Sequence, residues 1–151
     1  IRGSIGKHRD AFDVDKELDT YLVPARTAVT SGFQVVVYGH THLAKRIGLG
    51  KNGTALPVYL NTGTWADLMC IPDSVWGTEE DKARAALTAL VADLESNSLE
   101  RWRRGAPTYA KIEIENDTVR DAAVYFADGD GSERVTTPAL MQRLAGGSLR
   151  G

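Results

Sequence analysis

A run of apolar, mostly β-branched residues at positions 33–38 restricts the fold of this chain more than any other feature. Its three successive valines do not alternate with polar residues, which predicts a strand buried on both faces. Residues 15–31, just before it, carry apolar side chains at spacings of four, three and four, as one face of a helix requires. Pro24 predicts a kink or a late start of that helix. A helix followed by a buried strand indicates a layered α/β fold.

Further segments downstream are expected to form two antiparallel strand pairs. Residues 43–49 and 57–60 are one predicted pair, because Lys51-Asn52-Gly53 between them favours the positive φ angles of a tight hairpin. Residues 108–115 and 119–127 are the other predicted pair. In the first of these two strands, alanine and isoleucine alternate with charged residues, so we expect one face on the core and the other in water.

A long helix is predicted between the two strand pairs. Residues 78–95 carry apolar side chains along one face, and Thr78 is the predicted N-cap. We expect residues 70–105 to form a helical insertion within a partial domain that covers residues 1–135. Residues 136–151 are expected to be a C-terminal tail, and the stretch 140–151, which contains consecutive glycines, is expected to fray.

Composition narrows the class of protein. Hydrophobic residues make up 42% of the 151 residues and charged residues 25%, which is ordinary for a soluble globular protein. The net charge of −2 does not indicate nucleic-acid binding, and no stretch approaches the roughly 18 apolar residues of a membrane span. Cys70 is the only cysteine, so an internal disulfide is excluded and the cytoplasm is the expected location. The chain starts without Met, so we expect a processed start or a piece of a longer protein.

Two of the three histidines, His40 and His42, come directly after the valine-rich run. Residues i and i+2 of an extended chain point to the same side, so their imidazoles are candidate ligands of one metal centre. Gly39 is expected to allow the tight turn that frees the end of the strand. A hydrogen-bonded histidine pair in a loop is the alternative, and the spacing alone does not decide between them.

Three successive features of the chain resemble the C-terminal part of calcineurin-like metallophosphoesterases. They are the strand at 33–38, the motif Gly39-His40-Thr41-His42 and the run Tyr59-Leu60-Asn61-Thr62-Gly63-Thr64-Trp65. In that family a Gly-His-x-His motif follows a central strand, and a hairpin then leads to an Asn-x-Gly segment. The resemblance covers residues 17–68 and extends loosely to 127. It implies an α/β (α+β) fold, the C-terminal part of a layered αββα sandwich with a mixed sheet and flanking helices.

The resemblance also implies a site with two divalent metal ions, Mn, Fe or Zn, in the complete domain. His40 would bind one ion and His42 the other, and a hydroxide bridging the two would attack the phosphorus of a phosphate ester. Asn61 and Thr62 would support the site from behind the ligands, with turn formation as the alternative role of both. Trp65 follows where a substrate wall could lie, although core packing is its expected role.

The family's upstream ligands are missing from this chain. No Asp-x-His, Gly-Asp-x-x-Asp or Gly-Asn-His segment occurs, and His8 is the only candidate for a further histidine, with a solvated terminal histidine as the alternative. We therefore expect an incomplete phosphoesterase that is inactive alone and binds metal weakly or not at all. A non-catalytic binding or structural module that retains a relict His-x-His is the competing hypothesis.

Loss of half a layered domain would leave the strand at 33–38 without a neighbour. We therefore expect either the missing N-terminal half or a second copy of the chain at the exposed sheet edge. Residues 128–133, Asp-Gly-Asp-Gly-Ser-Glu, imitate an acidic metal loop. A glycine-rich turn is the favoured interpretation there, because no further acidic ligand follows at the required spacing.

Overall fold

A computed structural model describes residues 13–39, 41, 43–51, 54–69, 71 and 73–145 of the chain. The elements in chain order are α1 (Asp19–Thr30), β1 (Val35–Tyr38), β2 (Ala44–Gly48), β3 (Val58–Thr62), β4 (Leu68–Met69), a 3-10 helix (Asp73–Trp76), α2 (Glu80–Glu95), β5 (Arg103–Arg104), β6 (Thr108–Glu115), β7 (Thr118–Phe126) and α3 (Thr137–Ala145). None of the helices in this part of the chain has the length and apolar character needed to cross a membrane.

The central sheet has three strands in the order β1-β3-β2. Strands β1 and β3 run parallel, with Tyr38 opposite Asn61, whereas β2 and β3 run antiparallel, as predicted. The sheet is therefore mixed and the fold class is α+β, while Asn52 and Gly53 of the predicted turn lie outside the described residues. The prediction that β1 is buried on both faces is wrong, because β1 is an edge strand in the part of the chain that the structure describes and Val37 keeps 42% of its surface exposed.

Helix α1 covers one face of this sheet. Leu22 and Ala25 of the helix are buried against Val36 of β1 and Tyr59 of β3. The helix begins at Asp19, later than the predicted residue 15, and Pro24 lies inside it. Because leucine and alanine at this spacing share one side of the helix, they supply the continuous apolar surface that the sheet needs.

The β6–β7 hairpin and α3 cover the other face. Val58 and Leu60 of β3 pack in one cluster with Phe126 of β7 and with Leu140 and Leu144 of α3. Fraying was expected from residue 140 of the tail onwards, but α3 occupies Thr137–Ala145 and contributes buried leucines to the core. The two leucines are four residues apart, which puts them on one face of a helix.

The β6–β7 hairpin reaches beyond this core. It turns at Asn116 and Asp117, which both have positive φ angles (49° and 57°). The expectation of a core-facing side fails for its outer half, since Ile112 is exposed and Ile114 is 67% exposed. Alternation predicts which residues share a face, but burial also requires another element to cover that face, and the core ends before it reaches these isoleucines.

The helical insertion is closed at its base by β4 and β5, which pair antiparallel so that the chain leaves and returns at one place. Helix α2 begins at Glu80, and its N-cap is Glu79 instead of the predicted Thr78. The helix packs against the 3-10 helix. Of the leucines in its predicted apolar stripe, Leu90 is buried, whereas Leu87 and Leu94 are exposed.

Candidate metal-binding loop

The loop that carries the histidine motif joins β1 to β2 at the end of the parallel strand pair. β1 ends at Tyr38 and β3 ends at Thr62. Because the two strands are parallel and Tyr38 lies opposite Asn61, both carboxyl ends lie at the same end of the sheet. Ligands of open α/β sheets bind outside the carboxyl ends of such strands. His40 and His42, the predicted ligands, lie outside the described residues, and so does His8. The structure describes the residues around the two motif histidines: Gly39, Thr41 and Leu43.

Asn61 connects β3 to this loop. Its side-chain amide donates a hydrogen bond to the hydroxyl of Thr41, the residue between the two motif histidines. Its side-chain oxygen accepts a hydrogen bond of 3.0 Å from the backbone N–H of Gly63, a glycine with a positive φ of 63°. Asn61 therefore forms the turn after β3 and also contacts the histidine loop, so the two predicted roles are not exclusive.

The contact to Thr41 belongs to a larger polar network beneath the loop, which we call the Asn61 network: Glu17, Thr41, Tyr59 and Asn61. The hydroxyl of Tyr59 donates to Oε2 of Glu17 at 3.0 Å, and the Asn61 amide lies 3.1 Å from that hydroxyl and 3.4 Å from Oε2. Both Tyr59 and Asn61 have no exposed surface. Buried polar groups lose water on folding, so these mutual bonds are what makes their burial tolerable.

Glu17 and Tyr38 complete the surroundings of Tyr59. The second carboxylate oxygen of Glu17 accepts a 2.9 Å hydrogen bond from the N–H of Leu18, just before α1. The ring of Tyr38 packs edge-on against that of Tyr59, with 5.3 Å between centroids. Burial, followed by the nearby Glu17 carboxylate, raises the pKa of the Tyr59 phenol well above its ordinary value. The phenol therefore stays a neutral hydrogen-bond donor throughout the ordinary pH range.

The raised pKa of Tyr59 gives a prediction for alkaline stability. In the unfolded chain a tyrosine ionises near pH 10, while the folded chain keeps this proton, so the free energy of unfolding should fall as the pH rises above about 10. One proton contributes a slope of at most about 1.4 kcal/mol per pH unit. The free energy of unfolding of the wild type and of Tyr59→Phe, measured in urea, should change equally with pH from 8 to 9. Above pH 10 it should decline less steeply for the variant. Identical slopes above 10 would contradict the burial of this phenol.

Thr62 and Gly39 have simpler roles. The Thr62 hydroxyl lies 3.5 Å from the carbonyl oxygen of Tyr38, and its own carbonyl accepts a 2.6 Å hydrogen bond from Thr108 of β6. Thr62 thus ties the end of β3 to β1 and to the hairpin. Gly39 does not have a positive φ, and a Cβ there would meet Thr62 Oγ1 at an ordinary 3.6 Å. The expectation that this turn needs glycine is therefore not supported.

Trp65 is 71% exposed, so the expectation that it packs in the core is wrong. Its indole N–H donates a 2.9 Å hydrogen bond to the carbonyl of Thr108, which fixes one edge of the ring. The rest of the ring is open to solvent in the segment that follows Asn61 and Gly63. An anchored, exposed aromatic side chain beside the carboxyl end of a sheet can line a binding surface.

The acidic sequence at 128–133 forms a turn, as predicted. Gly129 and Gly131 both have positive φ angles, of 66° and 68°. Arg143 of α3 pairs with Asp128 and, at 2.7 Å, with Glu133, and its guanidinium lies 3.8 Å from the ring centroid of Phe126. Oδ2 of Asp128 and Oε2 of Glu133 therefore hold α3 to the hairpin.

The described residues do not supply a complete metal site. Among them, a set that leaves out all three histidines, no group of three or more His, Cys, Asp or Glu side chains could hold a metal ion. The carboxylate of Glu17, in the network below the loop, is already bonded through both oxygens. A catalytic zinc site normally has three protein ligands. The donors among the described residues therefore do not by themselves make up a two-metal centre.

Sequence reasoning missed Glu17 and Tyr59, although one signal for them was present. Asn61 is a polar residue in an otherwise apolar strand, and a polar group buried in this way needs partners. Tyr59 lies two residues before it, on the same face of β3. Glu17 gave no such signal, because its contact crosses 42 residues of sequence.

The chain was compared with known protein families, proteins and structures, and no match was found. No protein-family model matches this chain, and no curated protein or solved structure matches it either. The similarity to calcineurin-like metallophosphoesterases therefore rests on the residues of the chain alone. It remains a prediction, and the function drawn from it is a proposal.

Proposed function

We propose that this chain is the C-terminal part of a metal-dependent phosphoesterase in which His40 and His42 are metal ligands. The main support is the hydrogen bond from buried Asn61 to Thr41, the residue between these histidines. It attaches the centre of the motif to the carboxyl end of β3. An asparagine beside the histidine motif is also what the resemblance implies.

The Asn61 network gives the loop a rigid support. Metal-binding histidines depend on neighbouring groups that fix their orientation, and Asn61 holds the residue between the two proposed ligands. Because its pKa is raised, Tyr59 remains neutral in the ordinary pH range and keeps donating its hydroxyl proton to Glu17. Trp65, anchored by Thr108, is the residue we assign to the substrate side of the site.

The remaining ligands must come from outside this chain, because two imidazoles lack the carboxylate that a two-metal centre normally includes. We propose that an N-terminal half of the same domain supplies them and lies along β1. Among the described residues that strand is paired by β3 alone, and Val37 within it and Phe33 just before it are exposed. Unpaired edges bind further strands, and a second copy of the chain is the alternative occupant. We further propose that the protein works in the cytoplasm, where a lone cysteine is ordinary.

Metal binding by the chain gives the direct test. If the dissociation constant is in the millimolar range, added Mn²⁺ or Zn²⁺ at that concentration should stabilise the fold by about 0.4 kcal/mol, or on the order of 1–2 °C in Tm. His40→Ala and His42→Ala should each remove the shift. His8→Ala is the matched control, because it removes the third histidine, and it should leave the shift unchanged.

The outcome also separates the alternatives. A non-catalytic module with a relict His-x-His would give no metal-dependent shift in the wild type. Rapid hydrolysis of an aryl phosphodiester by the 151-residue chain, lost in His40→Ala, would show instead that the site is complete and that no other half is needed. The proposal expects the small shift together with negligible turnover.

A further inference from the structure

Helix α2 has an apolar face that nothing in the described chain covers. Leu90 of this helix is buried, whereas Leu87, Val91 and Leu94 are 43–50% exposed. These three follow one another at spacings of four and three residues, so they form one stripe along the helix. In the described residues the only element with substantial contacts to α2 is the 3-10 helix. The stripe is therefore open to a partner.

We propose that this stripe binds the same stripe of a second copy of the chain, with the two helices antiparallel. Arg84 lies about one turn before Leu87, and Glu95 lies one turn after Val91, both on the side of the stripe. When Leu87 packs against Val91 of the second copy, the antiparallel register brings Arg84 opposite the second copy's Glu95. A parallel pair would instead place Arg84 level with Arg84 of the second copy, about 16 Å along the helix from Glu95.

The two ends of α2 support the same orientation. The helix starts with Glu79, Glu80 and Asp81, whereas the segment that follows it contains Arg101, Arg103 and Arg104. Trp102 donates to Asp93 at 2.6 Å, which holds this basic segment at the C-terminal end of the helix. Glu79 and Glu80 pair with Lys82 and Arg84 of the same helix, and Arg101 pairs with Asp93. At the two ends, antiparallel packing therefore acts mainly by aligning the helix dipoles favourably. The contact is isologous and closes as a dimer.

The size of the stripe sets the expected strength. Three apolar side chains on a helix about 24 Å long make a contact smaller than a standard interface of about 1,600 Å². We therefore expect a reversible dimer with a micromolar dissociation constant. Sedimentation velocity of the 151-residue chain, from micromolar to near-millimolar concentration, should show the monomer converting to the dimer.

Leu87→Lys should raise the dissociation constant at least tenfold, because it places two charges in the apolar contact. Ile114→Lys is the matched control, since it makes the same kind of change on the exposed apolar end of the β6–β7 hairpin and should leave the dimer intact. Circular dichroism checks that each variant keeps its helix content. The proposal does not depend on the metal site.

A charge exchange tests the register itself. Arg84→Glu and Glu95→Arg should each weaken the dimer severalfold, and the double variant should restore it. The two residues are about 16 Å apart along one helix, so recovery has to come from contact between two copies. Arg84 pairs with Glu80 within its own helix, but the double variant loses that pair as well, so it cannot explain the recovery.

Several results would overturn the proposal. A monomer at every concentration would do so, and so would a dimer that survives Leu87→Lys. Failure of the double charge exchange to restore the dimer would overturn the antiparallel register. If Val37→Lys, at the free edge of β1, dissolves the dimer while Leu87→Lys does not, the two copies meet through the sheet and not through α2.

Discussion

Replacing Leu140 by alanine is expected to lower the free energy of unfolding by about 2–5 kcal/mol, the usual cost of removing a buried leucine side chain. Leu140 is 1% exposed and packs in the cluster that contains Val124, Phe126 and Val135. The void would open between α3 and the β6–β7 hairpin, where the sheet cannot collapse to fill it. Urea unfolding at 25 °C measures the effect.

Met141→Ala is the matched control, because Met141 is the next residue of the same helix and is 45% exposed. Its expected effect lies within about 0.5 kcal/mol of zero. If the two alanine variants unfold at the same urea concentration, α3 does not pack on the sheet. We expect a chain that ends at residue 136 to aggregate, because loss of α3 exposes Phe126. If α3 does not pack on the sheet, this shortened chain should remain folded.

The role of α3 shows where sequence patterns stop being informative. Leu140 and Leu144 are spaced as on a helix, but the segment is short and ends in glycines, so it resembled a tail. Its burial depends on Arg143, which binds the turn at 128–133, and on the apolar face of β7 beneath it. These contacts join distant parts of the chain, and helical periodicity carries no information about them.

For the strands, the sequence predicted secondary structure better than it predicted burial. The valine run predicted β1, and the alternating residues of β6 predicted the hairpin, because strand periodicity is local. Burial was predicted less well. Val37 is exposed because β1 lacks a second neighbour, and Ile114 is exposed because the hairpin extends past the core. In both cases the side chain suits a covered face, but the covering element is not among the described residues.

The candidate site was predictable only in part. The resemblance pointed to Asn61, whose contact with Thr41 the structure shows. It did not point to Glu17 or Tyr59, which carry the rest of the network. A single polar residue in a buried strand indicates that partners exist, but it does not say which distant residues they are.

Replacing Asn61 by leucine is expected to destabilise the fold by about 2–4 kcal/mol. The change keeps the approximate volume but leaves the buried Gly63 N–H without its partner, which costs about 1–3 kcal/mol, and it also removes the hydrogen bond to the half-buried Thr41 hydroxyl, worth about 1 kcal/mol. Tyr59 keeps its bond to Glu17, so the loss stops short of the whole network. Thermal or urea unfolding in the absence of metal measures the change, and an effect below about 0.5 kcal/mol would mean that these bonds do not hold the loop.

Asn61→Asp tests the same position through the pH dependence of stability. The new carboxylate would lie next to Glu17, whose Oε2 is 3.4 Å from the present amide nitrogen, and two carboxylates at this distance raise the pKa of one of them. A raised carboxyl pKa means that the folded state binds the extra proton, so stability should fall as the pH rises from 5 to 8. Glu17→Gln combined with Asn61→Asp should remove this pH dependence, because it removes one of the two charges.

If the loop depends on this network, both Asn61 variants should also weaken the metal-induced shift in Tm. His42→Ala should remove that shift and leave the stability without metal nearly unchanged.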